Sequence, residues 1–271
     1  MDSLHKFSVI IAGAGNVGSF LAVELFNAGC TISRVYSRTL MHANKLAENV
    51  NSVGIDDIDR LQLTADFLII ALPDRVIPVF LKQLHDSGKL DNSSIVILST
   101  AGSIHIDELK SVYHNSGVLY PLQSFTKLTR PVPEIIPFCI EGSSEQVTTK
   151  IANLAALITN QIKAVNSQQR IILHLAAVFA CNFTNHMIAL ADTILQKAEL
   201  DAEILKPLIN ETILRLNDHL PAEMQTGPAV RNDSTTIEKH IKLLEELGYS
   251  DLCLIYKQIS QSISKLNQDK S

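Results

Sequence analysis

Phe7-Ser-Val-Ile-Ile-Ala-Gly-Ala-Gly-Asn-Val-Gly-Ser-Phe20 is the stretch on which the fold turns. Residues 7–12 form a short apolar run with β-branched side chains, as suits a strand buried on both faces. Gly13-Ala14-Gly15-Asn16-Val17-Gly18 comes next, and residues 16–28 then carry apolar positions at helical spacing up to Gly29. The order is strand, glycine turn, helix. In that context the spacing G-x-G-x-x-G has a mechanical meaning. Gly13 permits the tight turn, Gly15 lets the backbone approach a pyrophosphate, and Gly18 allows the helix to pack closely, while the free N–H groups at the helix start attract the anion.

Working outward, Thr31–Tyr36 alternates in polarity as a second strand, and a helical stretch over 40–50 completes a first βαβ unit. Residues 67–72 and 95–98 are almost purely apolar, as central parallel strands covered by helices should be. Pro73-Asp74 ends the first of these and opens a helix to about His85, and Ser99-Thr-Ala-Gly-Ser103 ends the second. Residues 117–120, 138–140 and 162–165 read as further strands, with an amphipathic helix over 145–158. Beyond Asn166 the strand signals cease, and four helical stretches remain: 168–197, 201–219, 235–247 and 251–266. The expected architecture is α/β, a doubly wound parallel sheet over 1–165 followed by an all-helical domain over 166–271. The second domain is expected to contribute to substrate binding and to form a homodimer.

Composition narrows the partners. A net charge of −5 without a Lys/Arg-rich run argues against nucleic acid, whose phosphates demand a basic footprint. Cys30, Cys139, Cys181 and Cys253 are far apart in apolar stretches and read as buried reduced thiols, and no close His, Cys or carboxylate spacing suggests a metal. Residues 171–191 contain no Asp, Glu, Lys or Arg, but His174, Asn182, Thr184, Asn185 and His186 interrupt them, so a buried central helix is expected rather than a membrane span. Residues 7–14 run directly into the glycine motif and are read as a strand, not as a signal-peptide core; the chain is expected to be cytoplasmic.

The second strand identifies the cofactor. A site for NAD usually places Asp or Glu about 20 residues beyond the glycines, to accept from the ribose 2′-hydroxyl. Here the strand ends Tyr36-Ser37-Arg38-Thr39. Arg38 can grip a 2′-phosphate through two charge-assisted bonds, and the hydroxyls of Ser37 and Thr39 can donate to it, so the expected cofactor is NADP. The alternative is a solvated Arg38 that merely opens the next helix. Leu72, Pro73 and Ser99, at the ends of the central strands, are expected along the same dinucleotide.

With these motifs in place the chain resembles a known superfamily: pyrroline-5-carboxylate reductase, 6-phosphogluconate and β-hydroxyacid dehydrogenases, and deazaflavin-dependent NADP oxidoreductases. It is most similar to the Rossmann-like oxidoreductases whose C-terminal domain has no assigned function. The resemblance spans nearly the whole chain and rests on Gly13 to Gly18, Ser37-Arg-Thr39, Ala71-Leu-Pro-Asp74, Ser99-Thr-Ala-Gly102, Tyr120-Pro-Leu-Gln-Ser-Phe125, His174 to Asn182, and Thr226-Gly-Pro-Ala-Val-Arg-Asn-Asp233 with His240. It implies hydride transfer between NADP(H) and a small carbonyl, imine or alcohol bound between the domains, with polar residues of the first long C-terminal helix beside the nicotinamide. A non-enzymatic NADP-binding sensor is the alternative. One departure stands out: the subgroup typically has His-Pro-Leu where this chain has Tyr120-Pro121-Leu122. A tyrosine can orient a carbonyl but does not titrate near neutral pH.

The implied catalytic residues are His174, Asn182 and Tyr120, with Gln123, Arg231, Asp233 and His240 toward the substrate. Asp233 or Ser234 can cap the helix that begins there, leaving Arg231 for an anion. At about 100° per residue His174 and Asn185 nearly align, with Asn182 about 80° away on an adjoining face. Against these roles, a lone His on an apolar helix is more often a core residue, and the 226–233 segment can be a plain surface turn; His186 reads as structural or interfacial.

Overall fold

The computed structural model describes residues 6–91 and 93–268. They form two compact units, Met1–Phe183 and Thr184–Ser271. The first holds β1 (Ser8–Ala12), α1 (Asn16–Asn27), β2 (Thr31–Tyr36), α2 (Leu40–Asn49), β3 (Gly54–Ile55), β4 (Phe67–Ile70), α3 (Ile77–Asp86), β5 (Val96–Ser99), α4 (Ile106–Lys110), β6 (Ser116–Pro121), β7 (Phe138–Gly142), α5 (Glu145–Ala155), β8 (Ile162–Ala164) and α6 (Ser167–Ala177). The strands make one sheet in the order β3-β2-β1-β4-β5-β6-β7-β8.

Strand side chains alternate between two apolar layers. Val9, Ile11, Phe67, Ile69, Val96 and Leu98 pack under α1, α2 and α5, and Ile10, Leu68, Ile70 and Ile97 pack under α3 and α4 on the opposite face. Strand order reverses between β1 and β4, and the crevice at such a switch is where open α/β sheets bind ligands. The doubly wound sheet expected from the sequence is therefore present, with one difference: β6 and β7 pair antiparallel. Residues 122–137 hold no crossover helix, only a single short turn of helix at Pro133–Ile135, and without a crossover the chain cannot return parallel. The two-residue β3 and five-residue α4 were too short to show a period in the sequence.

The first unit runs past the expected 165/166 boundary because α6 is tied to the sheet by a buried ion pair. Arg170, fully buried, bonds Glu141 of β7 and the carbonyl of Ile104. Glu141 also accepts from Ser167 N at 3.0 Å and Ser167 Oγ at 2.8 Å, while Ile106 N donates to Ser167 Oγ at 2.9 Å. A π-helical turn, Val178–Phe183, closes the unit.

The second unit holds α7 (Thr184–Gln196), α8 (Lys206–Leu214), α9 (Ser234–Glu246) and α10 (Ser250–Gln268). Tyr249 OH donates to the carbonyl of Thr193 at 3.2 Å, and Ser264 Oγ to that of Ala229 at 2.9 Å. Its core is small: among the described residues only Ala229, Leu244 and Cys253 are buried apolar side chains. Leu200, Ile204, Leu208, Leu220, Leu254 and Leu266 are exposed. The expectation of a buried central helix over 171–191 is corrected in the same way. By length and composition Ser167–Gln196 could cross a membrane, and none of its most apolar window is buried. Ile172, Leu175, Phe179, Phe183 and Ile188 all stay exposed in the single chain.

Candidate active site

The glycine turn is built as its spacing demands. Gly13 has φ +122°, its N–H donates to Tyr36 O at 2.8 Å, and a Cβ there would meet the carbonyl oxygen of Ala71 at 2.2 Å. A Cβ on Gly18 would lie 1.9 Å from Gly13 O, so α1 can sit this close to the turn only as glycine. Gly15 is the opposite case, with nothing within 4 Å of the position its Cβ would take. Gly15 is also the N-cap of α1 and supplies no side-chain cap, so the first helical N–H groups are left without a capping side chain. The turn thus fits a pyrophosphate.

Beside it runs a groove of about 670 Å³ lined by Gly13, Ala14, Gly15, Leu72, Pro73, Ser37 and Arg38. His42 and Lys45 of α2 and Lys127 of the β6–β7 connection also line it, and among the described residues no carboxylate does. Of the other expected cofactor residues, Asn16 and Val17 line the neighbouring cavity, and Gly18, Thr39 and Ser99 line neither space. Gly18 is used for packing, and Thr39 is the N-cap position of α2. Ser99 is fully buried and its Oγ accepts from Ala101 N at 3.2 Å, so it shapes the turn after β5 and leaves Thr100 and Ala101 to line the neighbouring cavity.

That cavity, about 800 Å³, shares Gly15, Leu72 and Pro73 with the groove and adds Asn16, Val17, Asp74, Gly102, Tyr120, Gln123, His174, Cys181 and Asn182. Tyr120 Oη and His174 Nδ1 are hydrogen-bonded at 2.9 Å, with the two rings edge to face. Burial, then the nearby Cys139 and Asp74, push the Tyr120 phenol up to about 12, so it stays protonated at neutral pH. Asp74 accepts a hydrogen bond from Ser103 Oγ. Because Arg170 and Ser167 pin the first turn of α6, His174 one turn later is held against the 101–104 loop.

The π turn decides which side chains of this helix reach the cavity. A π turn inserts one residue into the α ladder and rotates the later residues back by about 100°. Asn182, expected about 80° from His174, is thereby brought within about 20° of it, and Asn185 is turned away. Cys181, expected to be buried, is exposed and lines the cavity.

The remaining substrate candidates belong to the second unit. Asp233 caps α9, accepting from Thr236 N at 3.0 Å and Thr236 Oγ1 at 2.8 Å, and these bonds hold its carboxyl below the ordinary range. His240 Nδ1 bonds Tyr256 OH at 2.8 Å, and Arg231 lies in the loop before α9. Sequence reasoning passed over His42, Lys45, Lys127, Thr100 and Gly102. His42 and Lys45 stand three residues apart on α2 and so share one helix face that the period makes legible, while Lys127 carries no local signal.

Comparison with known proteins adds to this geometry. Residues 8–102 match the family model described as NADP oxidoreductase, coenzyme F420-dependent, and residues 136–263 match a domain of unknown function, DUF2520. A candidate NADP oxidoreductase from Bacteroides fragilis is 34% identical, with 97% of this chain and 100% of that one covered and a TM-score of 0.88. A pyrroline-5-carboxylate reductase from Coxiella burnetii is 16% identical over 97% and 99% of the two chains, TM-score 0.57. A reductive aminase from Aspergillus terreus, in complex with NADPH and ethyl levulinate, is 15% identical over 98% and 100%, TM-score 0.72. These last two likenesses establish a shared fold.

Proposed function

This chain belongs to the NADP oxidoreductase family, and on that premise we propose that it transfers a hydride between NADP(H) and a small carbonyl, imine or alcohol held beside His174. The observation that carries this reading is the Tyr120–His174 pair, which opens on the same cavity as Gly15, Asn16 and Val17 of the glycine loop. Arg38 and Ser37 in a groove that no carboxylate lines among the described residues support NADP over NAD.

When bound, the nicotinamide supplies or accepts the hydride. Tyr120 keeps its proton, and its hydrogen bond to Nδ1 holds the His174 ring in place. In the reducing direction a protonated His174 ring gives its Nε2 proton to the substrate oxygen or nitrogen as the adjacent carbon is reduced and is left as the neutral imidazole, and solvent reprotonates the half-buried ring. Tyr120 thereby orients the acid instead of acting as one, and the task of the histidine usual at its position passes to His174. Asn182 and Gln123 offer amide groups to hold the substrate.

The convergence of Tyr120 and His174 on one cavity favours an enzyme over a non-enzymatic sensor. The uncovered apolar side chains of the second unit support a homodimer, since a second copy is the partner every molecule of this chain has available. Turnover of NADPH or NADP measured by nicotinamide absorbance against a panel of ketones, cyclic imines and alcohols tests the reaction. NADPH binding without turnover of any class would restore the sensor.

A further inference from the structure

Residues 122–137, between β6 and β7, form a strap laid along α1 and held at three points. Asn16 Nδ2 donates to the carbonyl of Phe125 at 2.9 Å, and the ring of Phe125 rests on that of Phe20 with centroids 4.8 Å apart. Arg130 pairs with Glu24 through Nε at 3.0 Å and a terminal nitrogen at 2.5 Å. Between these ties the backbone turns over Thr126, whose Oγ1 accepts from Leu128 N at 3.2 Å and Thr129 N at 3.3 Å. The strap therefore has a defined shape, and Lys127 projects from its turn.

Lys127 lines two adjoining spaces. One, of about 450 Å³, lies between strap and α1; the other is the cofactor groove, and the two share Ala14, Gly15, Ser19 and Val23. Its ammonium is exposed and has no hydrogen-bond or ion-pair partner among the described residues. A cation beside the glycine turn, where the N–H groups of α1 are free and Gly15 leaves open space, is placed for the diphosphate, while Arg38 stands at the end of β2 where a 2′-phosphate belongs. The geometry points to the 122–137 strap as a clasp that holds Lys127 over the diphosphate of the dinucleotide, with the Arg130–Glu24 pair as its fastening. This inference rests on the glycine turn being the NADP(H) site.

The test is titration of NADPH and of NADH by nicotinamide fluorescence into wild type, Lys127→Ala, Lys127→Arg, Arg130→Ala and the Lys127→Ala/Arg130→Ala double variant. Because both cofactors carry the diphosphate, Lys127→Ala weakens both by the same factor, about tenfold, and Lys127→Arg restores most of it. Arg130→Ala weakens both as well, and adding Lys127→Ala to it costs little more, since an unfastened strap no longer places the lysine. Losses confined to NADPH would assign Lys127 to the 2′-phosphate and overturn the proposal, as would unchanged affinities or fully additive losses. A wild type that binds neither cofactor would instead sink the NADP(H) site itself, and the clasp with it.

Discussion

A Cβ placed on Gly102 would lie 2.8 Å from Cγ and 2.9 Å from Nδ1 of His174, so the turn after β5 and the imidazole are packed without spare room. Gly102→Ala must therefore push the ring away from Tyr120, whose hydroxyl bonds that same Nδ1. Misplacing a catalytic group by about 1 Å can cost about a hundredfold. We expect kcat to fall by about ten- to a hundredfold while NADPH affinity holds. Steady-state kinetics on the substrate found by the panel check this, and an unchanged kcat would remove His174 from the proton path.

Arg38→Ala should weaken NADPH binding by about ten- to a hundredfold and leave NADH binding nearly unchanged, because only NADPH carries the 2′-phosphate. Ser37, which lines the same groove, retains part of the contact. Titrating both cofactors at one stated salt concentration gives the ratio directly. Equal losses would make Arg38 structural, and a wild type that prefers NADH would overturn the NADP reading.

The glycines of the turn should fail in different ways. Gly15→Val fills open space that the diphosphate needs, so cofactor binding should vanish with Tm nearly unchanged. Gly18→Val drives a side chain into Gly13 O, so the folded state itself should be lost or strongly destabilised. Thermal melts with and without NADPH separate the two; a Gly15→Val protein still stabilised by NADPH would refute the assigned site.

The raised phenol of Tyr120 has a consequence at alkaline pH. Burial and then Cys139 and Asp74 move it from 10.0 to about 12, so the folded chain keeps a proton that the unfolded chain releases. Its contribution to stability is whole below about pH 10 and is lost as the pH rises through about 12. Tyr120→Phe should lose stability less steeply across that window than wild type. Tyr36 and Tyr256, also raised, are present in both proteins and cancel in the difference. Parallel denaturant curves with the same pH slope would show that Tyr120 ionises normally.

A monomer would leave Leu200, Leu208, Leu220 and Leu254 in water, so sedimentation at micromolar concentration should give a dimer. Leu208→Glu or Leu254→Glu should shift it toward monomer. A monomeric wild type would contradict this.

The amino-acid sequence by itself determined the β1–turn–α1 unit, the central apolar strands and the placement of Arg38 at the end of β2. Those features depend on residues adjacent in the chain: a backbone angle only glycine tolerates at Gly13, a period of burial, and a side chain at a strand end. Tyr120 and His174 were nominated by resemblance, but their contact was not legible, since 54 positions separate them. Only the tertiary structure decided that β7 runs against β6, that a π turn brings Asn182 rather than Asn185 round to the face of His174, and that Lys127 shares a groove with Arg38. It also set a fully buried Arg170 against Glu141, which no hydropathy pattern could announce. Each of these is a contact or a helical phase fixed by packing between distant segments, and a local period carries no record of which distant segment will arrive to complete it.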